Sequence, residues 1–327
     1  MADQTGDGRA TRSAVVVNPS KIDKMDELRQ TVVRALSRAG WPAPQWFATT
    51  PEDPGHGQTR KAIEAGAEVV FVCGGDGTIM SAVAALVGTD VALAILPAGT
   101  GNLVAANLGL SADLATGIEV AVEGGRRRVD VGACEGQFFV VMAGMGFDAD
   151  MLAATSETAK TRIGWPAYVL GAVRHLRDRP MGVSIRIDGG EPMRRRARSV
   201  LIANVGRLQG GVRLLADARP DDGFLDIAIL TPRSLRQWAA LASAVIRRSS
   251  RVPSMEVYRG TRVEVLASRP QPRQLDGDVI DAGHRLYAEV VPQALWLCVP
   301  QPAGHPDLAT DADAAARRGV RLIEERP

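Results

Sequence analysis

Along the first third of the chain, short apolar runs alternate with segments of helical period. SAVVVNPS, from Ser13, is a Val-rich run stopped by Asn18 and Pro19, the pattern of a buried strand that ends in a loop. From Lys21 to Ala39 the apolar positions fall at Ile22, Met25, Leu28, Val32 and Leu36, a helical spacing that ends at Gly40 with Pro42 beyond. PQWFATT predicts a second strand, PEDPGHGQ a loop and TRKAIEAG a helix. EVVFVCGG predicts a third strand running into glycines, TIMSAVAALVG a helix, and VALAILPAGTGN a fourth strand with a second glycine loop. Strands alternating with helices in this way imply parallel pairing in an open α/β sheet, whose ligands sit beyond the carboxyl ends of the strands. Both glycine loops fall at that edge.

The pattern changes near residue 130. From VDVGACEGQFFVVMAG onward, short alternating runs dominate: GVSIRIDGG, SVLIANVG, GFLDIAIL, RVEVLAS, LYAEVVP and ALWLCVP, divided by turn residues as in a β-sandwich. Two helical patterns interrupt them, around TAKTRIGWPAYVLGAVRHLRD and SLRQWAALASAVIRR. The expected fold class is α/β plus β: an N-terminal open α/β nucleotide-binding domain over 13–130, a mainly β domain over 131–300, and a polar tail over 301–327. The tail, with DLATDADAAARRGVRLIEERP, reads either as one amphipathic helix packing on the first domain or as disordered chain.

A length of 327 residues is ample for two cores, and 46% hydrophobic with 23% charged residues is ordinary globular composition. The formal net charge of +2 makes no bulk electrostatic case for nucleic acid. Cys73, Cys134 and Cys298 are far apart and set in apolar stretches, so they read as buried thiols rather than a disulfide or metal set. The opening MADQTGDGRATR lacks the apolar core of a signal peptide, and no run of about 18 apolar residues occurs. The expectation is a cytoplasmic protein, one that visits the inner membrane surface if it acts on a lipid.

Gly74-Gly75-Asp76-Gly77-Thr78 follows an apolar strand and precedes a helix, so backbone N–H groups and the helix N-terminus can converge on an anion. Thr78 adds a hydroxyl at the helix start. Asp76 is the unusual member, since a carboxylate beside phosphates repels them unless it serves a metal ion or a proton transfer. A tight turn with Asp76 as a cap would show the same five residues. The second loop, Pro97-Ala98-Gly99-Thr100-Gly101-Asn102, stands one βα unit later at another strand end, and two such loops side by side make a nucleotide cradle. Neither is a Gly-Lys-Ser/Thr phosphate loop or a GxGxxG fingerprint.

GGDGT followed by PAGTGN resembles the catalytic domain of the diacylglycerol kinase family, which shares its first motif with sphingosine kinases and NAD kinases. Further similar motifs run from Ser13 to Pro300: NPS at 18–20, VDVG at 129–132, AGMGFDA at 143–149, IANVGRLQGG at 202–211, ADARPDDGFLD at 216–226 and LDGD at 275–278. The resemblance implies ATP in a cleft between the two domains, contacted by Asn18, Thr50 (with Thr49 equally placed), Gly74, Gly75, Asp76, Gly77, Thr78 and Thr100. It implies a Mg2+ held by the Asp222 carboxylate and the backbone carbonyls of Arg219 and Phe224, oxygen ligands suited to a hard cation. A plain turn also explains ARPDDG. A homodimer is a further implication.

Phosphoryl transfer needs positioning, charge neutralisation and a base for the attacking hydroxyl. The family base is the Glu of an Asp-Gly-Glu motif; here Asp276-Gly277-Asp278 stands in its place, one methylene shorter. Asp278 is taken as the base and Asp76 as its catalytic partner, with QPRQLDGDVIDAG also readable as a solvated Asp-Gly hairpin. The implied reaction is ATP-dependent phosphorylation of a lipid hydroxyl, diacylglycerol first. A different hydroxylated lipid, sphingoid or glycolipid, and a nucleotide-binding regulator without turnover are the alternatives. Asp148 fits both an N-cap and a carboxylate network. The arginine runs at 126–128, 194–198 and 247–251 fit solvated surface or contact with anionic headgroups, and RIGWPAYVLGAVRHLR fits a core helix or an interfacial one.

Overall fold

The computed structural model describes residues 10–98, 104, 105, 108, 110, 114–146, 180–208, 212–215, 218–247 and 252–300. These fall into two compact units. One gathers the described residues up to 98, those between 110 and 127, and 295–300; the other holds 104–108 and 128–294.

The first unit is a parallel sheet. Strands β1 (Ser13–Val17) and β3 (Val69–Gly74) are buried at every position, which is why their sequences read as continuous apolar runs rather than alternating ones. β2 (Gln45–Ala48) pairs β1 from Ala14↔Gln45 to Val17↔Ala48, β1 pairs β3 from Ser13↔Val69 to Val17↔Cys73, and β3 pairs β4 (Ala92–Pro97) from Val69↔Ala92 to Gly74↔Pro97. A fifth parallel strand comes from the end of β16 (Asp278–Val299), through Trp296↔Ala92 and Leu297↔Leu93. Among the described residues of this unit are the α-helices α1 (Met25–Arg38), α2 (His56–Glu64), α3 (Asp76–Leu86) and α4 (Leu114–Glu123). Leu28, Val32 and Leu36 form the buried stripe of α1 and join Val15, Phe71, Ala94, Leu96 and Ile118 in one core. The helix α2 starts at His56, inside the stretch that reads as a loop. The Asp53 carboxylate accepts the N–H of Gly55 at 3.2 Å and of Gly57 at 3.1 Å, and this cap fixes the start.

The second unit is antiparallel, one continuous sheet folded into two layers over one core, with a separate two-stranded ribbon. Its strands are β5 (Gly125–Cys134, whose first residues lie in the first unit), β6 (Gln137–Phe139), β7 (Met142–Gly146), β8 (Met181–Ile187), β9 (Met193–Ala197), β10 (Ser199–Ala203), the short pair β11 (Arg207–Leu208) and β12 (Val212–Arg213), β13 (Leu225–Leu230), β14 (Met255–Gly260), β15 (Arg262–Leu275) and most of β16. The strand order β14-β13-β10-β7-β15 forms one layer and β9-β8-β15-β16 the other. The long strand β15 serves both: Val263–Ala267 pair β8, Arg273–Leu275 pair β7, and the register shifts between, where Pro270 and Pro272 donate no ladder bonds. Met145, Ile202, Ile227, Val183, Ile185, Val265 and Leu286 meet in the core between them. One described helix, α5 (Leu235–Ile246), is capped by Ser234 Oγ accepting the N–H of Gln237 at 3.3 Å.

The α/β plus β class expected from the sequence is the one found. Two readings change. LYAEVVP and ALWLCVP belong to one strand, because Pro292 and Gln293 lie on an exposed stretch of β16 and do not end it. MRRRA is a strand that polarity hid: Arg194 and Arg196 point to solvent, while Met193 and Ala197 join the core. The cysteines are buried free thiols, and desolvation pushes Cys73 and Cys298 up to about 12 and Cys134 to about 11. The helical pattern at 158–178, Asp148, most of the 247–251 run and the tail lie outside the described residues.

Candidate functional site

Because β1, β2, β3 and β4 run parallel, their carboxyl ends share one edge, and that edge collects the first group of candidates. Asn18 follows β1: its backbone N–H donates to Cys73 O at 2.8 Å, and its Oδ1 accepts from Ser20 N–H at 3.1 Å and Ser20 Oγ at 2.8 Å. Thr49 and Thr50 follow β2; Thr49 is buried and Thr50 is the solvent-facing one. Gly74 ends β3, Gly75 precedes α3, and Asp76, Gly77 and Thr78 make its first turn.

The glycines divide by role. A Cβ on Gly74 would stand 2.7 Å from both Cβ and Oγ1 of Thr78, so the strand can meet the helix this closely only with glycine there. A Cβ on Gly75 or Gly77 would meet nothing within 4 Å, so open space lies before that backbone. The first N–H groups of a helix lack intrahelical acceptors and carry the positive end of its dipole. Such a place suits anionic oxygens, although the Asp76 carboxylate in the same turn repels an anion that carries no counter-charge. Thr100, on the second loop, lies outside the described residues. A cavity of about 670 Å³ between α1 and α4, lined by Arg34, Trp41, Ile118 and Val122, holds none of the candidates.

The remaining candidates lie in the second unit. Asp276 and Gly277 form the two-residue turn between β15 and β16, with Leu275 paired to Asp278. Their φ angles of 47° and 94° are the positive values a tight Asp-Gly hairpin turn needs. Asp278 opens β16 and is exposed. Asp276 is buried, and its carboxylate accepts the N–H of Val140 at 2.7 Å and of Val141 and Met142 at 2.8 Å each. The hairpin reading and the candidate base are thus one object.

The 219–224 turn is organised by Asp130, which is completely buried. Asp130 N–H donates to Pro220 O at 2.6 Å, while its carboxylate accepts from Gly223 N–H at 2.6 Å and Gln293 N–H at 2.7 Å. Burial raises the Asp130 pKa, the two backbone donors lower it, and the nearby Asp222 and Asp221 charges raise it again. Asp222 Oδ1 accepts from Phe224 N–H at 3.2 Å, and its other oxygen is paired with the Arg259 guanidinium, which also lies over the Phe224 ring at 4.7 Å. Each acid around the turn has a partner: Asp130 the N–H groups of Gly223 and Gln293, Asp222 the N–H of Phe224 and Arg259, and Asp221 the Arg219 guanidinium at 3.4 Å. Among the described residues, no group of three or more His, Cys, Asp or Glu side chains is placed to hold a metal alone, so backbone carbonyls have to complete such a site.

Two residues escaped the reading of the sequence. Asn204, in IANVG, donates its side-chain amide to Asp130 O and Val140 O at 2.9 Å each, joining the Asp222 turn to the segment 140–142 that anchors Asp276. Asp130 itself stood only as a letter of VDVG. A polar residue inside an apolar run is the available signal for both.

Residues 12–134 match the diacylglycerol kinase catalytic domain family, and residues 140–299 match the YegS C-terminal NAD kinase beta sandwich-like domain. A Chromohalobacter salexigens protein described as "Probable lipid kinase YegS-like" is 32% identical over 74% of this chain and 79% of its own length. The diacylglycerol kinase of Bacillus subtilis is 27% identical over 82% of this chain and 89% of its own. Among solved structures, a diacylglycerol kinase from Bacillus anthracis superposes with a TM-score of 0.72 at 18% identity, covering 90% of this chain and 98% of that one. An NAD kinase from Archaeoglobus fulgidus in complex with ATP reaches 0.51 at 13% identity, covering 94% and 99%. At these identities the structural likeness speaks to the fold alone.

Proposed function

The chain belongs to the family of diacylglycerol kinases and YegS-like lipid kinases, and from that premise we propose that it transfers the γ-phosphate of ATP to the free hydroxyl of diacylglycerol, giving phosphatidic acid. The observation that carries the reading is the Gly74–Thr78 junction, a strand end meeting a helix start with open space before Gly75 and Gly77. Backbone N–H groups and Thr78 hold the phosphates there, and Asn18 and Thr50 stand at the same edge of the sheet. Asp76 would hold the cation that accompanies ATP, which would supply positive charge beside the phosphates. Asp278 accepts the proton as the acceptor oxygen forms its bond to the γ-phosphorus; the bond from that phosphorus to the bridging oxygen breaks, and ADP leaves with the electron pair.

A structural Mg2+ would be held by the Asp222 carboxylate and the carbonyls of Arg219 and Phe224, with Arg259 displaced from Asp222. When bound, it supplies positive charge that stiffens the turn. The turn's own residues do the rest: Asp130 fixes Pro220 and Gly223, and Asn204 ties Asp130 to the segment 140–142 that carries the Asp276 contacts. Among the described residues no helix is long and apolar enough to cross a membrane. A homodimer agrees with this reading and is tested by sedimentation.

Incubation of the protein with labelled ATP and a total lipid extract tests the acceptor. Label in the phosphatidic acid fraction supports diacylglycerol. Label in another lipid moves the reading to a sphingoid or glycolipid acceptor, and label only in soluble material removes the lipid.

A further inference from the structure

An aspartate in the place of the family's glutamate shortens the arm that carries the base. With one methylene fewer, the position of the Asp278 carboxylate is set by backbone more than by rotamer choice. The turn that leads into it is held by two buried side chains. Asp276, two residues earlier and 6% exposed, accepts three consecutive N–H groups from Val140, Val141 and Met142 at 2.7–2.8 Å, and its own N–H donates to Met142 O at 2.9 Å. Gln274, 2% exposed, accepts the N–H of Gly277 at 2.9 Å through Oε1. The receiving segment is itself fixed, because Val141 O accepts from the N–H groups of Asn204 at 2.9 Å and Val205 at 3.1 Å.

A solvated hairpin needs none of this. Asp-Gly turns form with their side chains in water, whereas here the aspartate is turned inward to bind the segment 140–142 with charge-assisted bonds. We infer that Asp276 is a positioning residue: its carboxylate locks residues 276–278 onto 140–142 and so fixes where Asp278 stands when it takes the substrate proton. This rests on the reading of Asp278 as the base. Gln274 braces the same turn from the other side.

The test is a double-mutant cycle in kcat, with KM for ATP measured alongside. Asp276→Asn is expected to lower kcat by about 100-fold, with KM for ATP within about twofold of wild type. In an Asp278→Ala background, the same substitution is expected to change the residual rate by less than about threefold, since the group it positions is gone. An equal loss in both backgrounds makes Asp276 a purely structural residue and overturns the inference. Gln274→Ala leaves the three Asp276 bonds in place and keeps the test open if Asp276→Asn does not fold. It is expected to lower kcat by about tenfold when Asp278 is present and by less than about twofold in the Asp278→Ala background. Should Asp278→Ala alone keep wild-type kcat, the base reading falls, a result visible before Asp276 is touched.

Discussion

The side-chain amide of Asn18 lies 3.5 Å from Thr78 Oγ1, linking the residue after β1 to the first turn of α3. The contact exists because Gly74 lets the strand pass within van der Waals reach of Thr78. Gly74→Ala forces a Cβ to 2.7 Å from Thr78 and pushes the turn out of place. The expected cost is about 1–3 kcal/mol of stability, with at least about tenfold weaker ATP binding by calorimetry. Unchanged affinity would show that the nucleotide does not use this junction.

Asp130 gives a pH dependence with a definite sign. Burial raises its folded-state pKa, so the native protein holds this proton more tightly than the unfolded chain. Stability from this group is therefore present at low pH and is lost as pH rises from the ordinary aspartate value of about 3.9 through the raised one. Asp130→Asn removes that slope and one acceptor. In urea unfolding, wild type is expected to lead the variant most at acidic pH, with the gap narrowing as pH rises; a gap that widens instead would mean that the backbone donors outweigh burial.

Asp188 runs the other way. Burial opposes its charged form, but the Thr261 hydroxyl and the N–H groups of Arg262 and Thr261 outweigh this and lower its pKa. The clip closes β8 onto β15, and its contribution is present above the ordinary carboxylate range and lost as pH falls through the lowered value. Asp188→Asn is expected to lower the melting temperature at pH 7, with the gap to wild type closing as pH falls below the ordinary aspartate value of about 3.9.

The Asp222 turn offers a metal test that is independent of turnover. Millimolar Mg2+ is expected to raise the melting temperature of wild type and not of Asp222→Asn, because a ligand bound only to the native state stabilises by mass action. Removing Mg2+ with a chelator reverses the gain. An equal response in both proteins places no structural cation on Asp222.

Much of this was legible in the residues. Continuous apolar runs ending in glycine pointed to the parallel strands and the junction at Gly74–Thr78, since burial on both faces and close approach leave few other solutions. What the pattern concealed came from side chains acting at long range. Asp53 starts α2 inside a Pro- and Gly-rich stretch, and Asp276 and Asp130 bind backbone far away in the sequence, distances that no local period encodes. The return of Leu295–Val299 to the first sheet is likewise a matter of pairing with β4, and ALWLCVP by itself fits either sheet.

The decisive assay for the proposed reaction is transfer of labelled γ-phosphate from Mg-ATP to dioleoylglycerol in mixed micelles, with Asp76→Ala and Asp278→Ala alongside. Labelled phosphatidic acid is expected from wild type, with a loss of at least about 100-fold in each variant. No transfer by a wild-type protein that binds ATP, or full activity in both variants, would overturn the assignment.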